Sequence, residues 1–140
     1  MTGSYTEREV LNKMYSDGLK VVLQEANTDL VVKPRYVEDS VSQNSIDAEV
    51  VVLDIDVRQY RYMGVGLKNT GANSLDYKIE ARVKYDGTIA EEVVGYTTLS
   101  AGAETVSKID VSRYARIRIY AKATTSGSPS NILVEYVLKT

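Results

Sequence analysis

The 140-residue chain has no cysteine, histidine, phenylalanine or tryptophan, and only 2 prolines. Without cysteine it has neither a disulfide framework nor a thiolate metal site. Without histidine there is no imidazole base, so Ser-His-Asp and Cys-His arrangements are excluded together with most transition-metal sites. Chemistry is left to carboxylates, lysine and tyrosine. Charge of one sign is lacking too: 17 basic residues against 19 acidic ones leave a net charge of −2. The first 45 residues hold 5 of the basic and 7 of the acidic ones, so the rest of the chain is balanced. That is not the footprint of a nucleic-acid binder. No apolar run approaches the roughly 20 residues of a membrane-spanning helix, and the first nine residues, MTGSYTERE, lack the basic-then-apolar pattern of an export signal. The expectation is a protein made and kept soluble, with no membrane, nucleic acid or cofactor as partner.

What is present is alternation. From Leu75 to Tyr85 the residues Leu75, Tyr77, Ile79, Ala81, Val83 and Tyr85 interleave with Asp76, Lys78, Glu80, Arg82 and Lys84. Period two puts every apolar side chain on one face of a strand and every charge on the other, where a helix would scatter both sets. Ala115 to Ala123 repeats the pattern with Ala115, Ile117, Ile119, Ala121 and Ala123 inward, and Ile132, Val134, Tyr136 and Leu138 repeat it again. On that last strand Leu133 and Val137 make the outer face half apolar, a surface that asks to be covered. Upstream, Ala48 to Val57 reads as a strand with Val51, Leu53, Ile55 and Val57 inward. Tyr60 to Lys68 reads as another with Met63, Val65 and Leu67 inward. Gly64 and Gly66 leave its other face almost bare, which points to a bulge or a close approach by another backbone.

Turn residues punctuate these runs. Asn69 to Ser74 is expected to close a hairpin onto the Leu75 strand, Asp86-Gly87 a tight turn into Ile89 to Leu99, and Ser100 to Ala103 a turn into Glu104 to Val111. Thr124 to Ser130 makes the last loop. The fold class is therefore all-β, an antiparallel sandwich or barrel of Ig-like or jelly-roll kind.

Residues 1–45 read differently, as an extended N-terminal arm ahead of a domain over 46–140. Thr6 and Glu9 form a capping box for a short helix carrying Val10, Leu11 and Met14, and Leu19 to Leu23 follows as a strand. Asn27 to Ser45, with Pro34, reads as extended linker. The other reading of this region is an ordinary first hairpin and loop. Val31, Val32, Tyr36 and Val37 are too apolar for a plain linker and are expected to lie on a surface.

No constellation announces catalysis. Asp54 and Asp56 share a strand face, but lack a third ligand or a calcium-binding loop. Glu91-Glu92 and Glu38-Asp39 are adjacent and point to opposite faces. Gly64-Val65-Gly66 lacks the third glycine and the strand-to-helix context of a phosphate loop. Arg113, Arg116 and Arg118 with Tyr114 and Tyr120 have the makings of a basic aromatic surface, yet cross-strand pairing with acids accounts for them better. Tyrosine is the unusual residue, with 11 copies. It offers contact area with a polar tip. Tyr77, Tyr85 and Tyr136 should face the core, leaving Tyr60, Tyr62, Tyr114 and Tyr120, with Val31, Val32, Tyr36 and Val37, as the candidate partner contacts.

Val10-Leu11-Asn12-Lys13-Met14-Tyr15 followed by Leu19-Lys20-Val21-Val22-Leu23 resembles the N-terminal segment of many phage-encoded virion proteins. Gly66-Leu67-Lys68-Asn69-Thr70-Gly71, Tyr85-Asp86-Gly87, Leu99-Ser100-Ala101-Gly102 and Ala115-Arg116-Ile117-Arg118-Ile119-Tyr120 are similar to an Ig-like sandwich repeat of phage and prophage surface proteins. The resemblance implies a non-enzymatic virion protein, made in the host cytoplasm and foremost a decoration protein on the capsid exterior that binds the major capsid protein and assembles as a homotrimer. The alternatives are a carbohydrate- or receptor-binding module of a phage tail or cell surface, and a neck or tail component.

Overall fold

The computed structural model describes residues 35–140, which form eight strands: β1 (Tyr36–Ile46), β2 (Val50–Asp56), β3 (Tyr62–Asn69), β4 (Leu75–Arg82), β5 (Ala90–Leu99), β6 (Glu104–Asp110), β7 (Arg116–Ala123) and β8 (Ser130–Lys139). The alternating apolar residues of these strands have to meet another apolar face. They do so by building two four-stranded sheets, β1-β8-β3-β6 and β2-β7-β4-β5, with antiparallel neighbours throughout. This is the strand order of a jelly roll, two interleaved Greek keys, and not that of an Ig-like sandwich. Met63, Val65, Leu67, Ile132, Val134 and Leu138 from the first sheet pack against Leu75, Tyr77, Ile79, Ile117 and Ile119 from the second in one continuous core.

Only β4 and β5 are joined as a hairpin within one sheet; every other connection passes between sheets. The expected hairpin between β3 and β4 is therefore corrected. Each strand has one apolar face, and period two does not say whether the next strand lies beside it or opposite. What holds this crossing is Asn69. Its buried side chain donates from Nδ2 to the carbonyls of Asn73 (2.7 Å) and Leu99 (2.9 Å), and its Oδ1 accepts from Gly71 N (3.0 Å) and Ser130 Oγ (2.8 Å). One residue thus ties three connections at one end of the sandwich. A Cβ on Gly71 would lie 2.1 Å from Ser130 Oγ and 2.6 Å from Asn131 N, so glycine is required there.

Three further expectations are corrected. Residues 36–45, read as arm, are the edge strand β1 paired with β8 from Tyr36 opposite Lys139 to Gln43 opposite Ile132. Its inward positions Val37, Asp39, Val41 and Gln43 alternate apolar and polar, so the strand carries almost no periodic signal, and backbone pairing with β8 holds it. A bulge between Gln43 and Ile46, with Ser45 in the left-handed region (φ 55°), then turns Ile46 into the core. In β2 a bulge between Val51 and Leu53 shifts the phase, so Val52 and Leu53 are both buried while Val51 faces out. Finally, β4 ends at Arg82, where its Nη1 donates to Gly87 O (2.7 Å) across the turn. Val83 is consequently 67% exposed and Tyr85 leaves the core. The helix expected after Thr6, the strand Leu19 to Leu23, and Val31 and Val32 lie outside the described residues.

Candidate functional site

The two outer faces of the sandwich are chemically unlike. On the second sheet the side chains satisfy one another. Asp54 on β2 accepts from Arg116 through both Nε (2.6 Å) and Nη2 (2.8 Å) and from Arg118 Nε (3.1 Å). These bonds, the one from Arg116 foremost, hold its carboxyl below the ordinary aspartate range, against the opposing effect of partial burial. Asp56 is held low in the same way by Arg58. Both members of the acid pair are thus taken by arginines, and Arg116 and Arg118 pair across strands as expected. Glu80 lies 3.4 Å from Arg82 and receives the Tyr120 hydroxyl at 3.1 Å. Lys78 sits over the rings of Tyr120 (4.8 Å) and Tyr96 (5.1 Å). Tyr85, displaced from the core, lies between the guanidinium groups of Arg58 (4.5 Å) and Arg116 (4.6 Å). The charges of this face are thus largely paired among themselves, while Val51, Val83 and Ile89 stand exposed on it or in its β4–β5 loop.

The outer face of the first sheet is the opposite case. Its cross-strand rows can be read from the register: Tyr36, Lys139, Tyr62 and Asp110, then Glu38, Val137, Gly64 and Lys108, then Ser40, Glu135, Gly66 and Val106. Gly64 and Gly66 leave the outer side of β3 bare, and a groove of about 570 Å³ lies over them, walled by Glu38 and Ser40, by Glu135 and Val137, and by Val106. Val106 is 72% exposed, Tyr36 61% and Tyr62 55%. Covering one such valine side chain stabilises a contact by about 1.5 kcal/mol, so this face gains from being buried. Among the described residues no cluster of carboxylates could hold a metal.

Of the residues expected to meet a partner, Tyr36 and Tyr62 come together on this face, on either side of Lys139. Val37 lies on the inward side of β1 at the rim, opposite Leu138. The other three tyrosines are elsewhere. Tyr60 packs half-buried against the core from the β2–β3 connection. Tyr114 does the same after β6 and donates to Glu91 Oε1 at 2.7 Å, a bond that raises its hydroxyl above the ordinary value. Tyr120 belongs to the paired face of the second sheet. Val106 was missed because the short strand Glu104–Asp110 has the polar Thr105 and Ser107 at inward positions and so carries no clean alternation. The bare glycine pair and the apolar outer positions of β8 were the signals that pointed here.

No family model matches the chain, and no curated protein matches it. The class defined by the fold is an eight-stranded jelly-roll sandwich, and solved structures share it. The chain is similar to the SPBc2 prophage-derived protein YomS, at 10% identity and a TM-score of 0.54, over 79% of this chain and 97% of that one. It is similar to PirA, at 12% identity and a TM-score of 0.51, over 72% and 92%. It is similar as well to the K3 cleaved adhesin domain of Lys-gingipain from Porphyromonas gingivalis, at 12% identity and a TM-score of 0.50, over 72% of each. At such identities the likeness is one of fold, and a fold hosts many functions.

Proposed function

We propose that the chain is a non-enzymatic structural protein of a virion, and in its most specific form a decoration protein on the outside of a phage head. The observation that carries the structural role is the contrast between the two faces: one internally paired, the other floored by glycine and lined by exposed valine and tyrosine. Such a surface serves contact rather than chemistry. The viral setting is supported by the phage-like segments of the sequence and by the prophage-derived protein whose chain this fold spans almost completely. The major capsid protein is the proposed partner, reached through residues 1–34 together with the sandwich, so that several weak contacts add up by avidity.

The experiment is localisation. Particles purified from a host that carries the gene should contain the chain in the head fraction. Its presence only with tails would make it a neck or tail component, and its absence from particles would end the virion reading.

A further inference from the structure

We infer that the outer face of the first sheet is a twofold contact between two copies of this chain. The argument begins with the placement of charge. In the row Glu38, Val137, Gly64 and Lys108 the acid stands on one edge strand, β1, and the base on the other, β6. A twofold axis parallel to the strands, running between β8 and β3, lays β1 of one copy over β6 of the other and β8 over β3. Glu38 of each copy then faces Lys108 of the other, twice.

The same operation places Val137 of each copy over Gly64 of the other. Each valine thereby joins, over a residue without a side chain, the Val137 of that residue's own copy, whose Cγ1 lies 3.3 Å from where a Cβ on Gly64 would stand. In the adjoining row it sets Lys139 over the ring of Tyr62, an arrangement in which a cation is drawn to an aromatic face. The strands stay roughly aligned, as in sheets that pack face to face about 10 Å apart, a spacing that glutamate and lysine side chains can bridge. The other twofold compatible with a flat face, running across the strands, lays each strand on its own copy. It sets Asp110 against Glu104 on β6, and the glycines against each other. Only the first axis sets acid against base at both edges, while it also lays Glu135 of each copy over Gly66 of the other.

Four strands spaced about 4.8 Å apart and some seven residues rising about 3.3 Å each give a face of roughly 20 by 23 Å. That is at the small end for a specific interface, so association in the micromolar range is expected. A twofold pair takes the place of the threefold assembly implied by the sequence resemblance. It does not depend on the virion reading, since the purified chain is enough to test it.

The test is sedimentation equilibrium of the full chain from micromolar to millimolar concentration, with Glu38→Lys, Lys108→Glu and the double exchange. Both residues are exposed, so the variants fold. The native chain should approach the mass of two copies. Each single exchange should weaken association at least about tenfold, and the double exchange should restore it to within about threefold. A monomer throughout, a threefold mass, or self-association indifferent to the single exchanges overturns the proposal, and so does a double exchange no better than the singles.

Discussion

Asn69 carries more of the architecture than its size suggests. It is fully buried, and all four of its side-chain hydrogen bonds are made to groups in three different connections. Asn69→Ala removes the bonds and leaves their partners without substitutes, which should cost about 3 kcal/mol in urea unfolding. A loss below about 1 kcal/mol would show that the three connections hold without it. Asp54 gives a prediction in pH. Its folded pKa lies below the unfolded value because Arg116 and Arg118 favour the carboxylate. Its contribution is therefore complete above the unfolded value of about 3.9 and is lost as pH falls through the lower folded one. The stability difference between the native chain and Asp54→Asn should be full at neutral pH and close only in that acid range. A difference that vanished already near pH 6 would contradict the assignment.

At the scale of elements, β1 decides where the domain begins. Deleting residues 1–34 should leave a cooperatively unfolding sandwich, because Arg35 to Thr140 forms a compact unit by itself. Deleting 1–45 removes nearly all of β1, opens the edge of β8 and uncovers its apolar inner residues, so loss of cooperative unfolding or aggregation is expected. Circular dichroism during thermal unfolding separates the two truncations, and equal behaviour would mean that β1 is dispensable. The same strand shows what the sequence could and could not reveal. β4, β7 and β8 were legible because nearly every inward position from Leu75 to Ala81, Ala115 to Ala123 and Ile132 to Leu138 is apolar. β1 was not, because its inward set includes Asp39 and Gln43 and its partners, from Ile132 opposite Gln43 to Lys139 opposite Tyr36, lie at the far end of the chain, with backbone bonds supplying what periodicity lacks. The phase shift in β2 was hidden in a run of valines, where a bulge leaves no mark of its own. Of the candidate face, the glycine floor and Tyr62 were visible in advance; Val106 and the partnership of Tyr36 with Tyr62 needed the sheet order.

For the whole molecule, the jelly roll divides labour between its two sides. The second sheet closes most of its charges among themselves, while the first presents a shallow, partly apolar face that a second copy complements. This arrangement fits the structural role proposed above. The measurement that tests this most directly is the copy number of the chain in purified particles, set against the major capsid protein. The account predicts a fixed ratio in the head fraction that survives gradient purification. Particles that are complete and infectious without the chain in any fraction would contradict it.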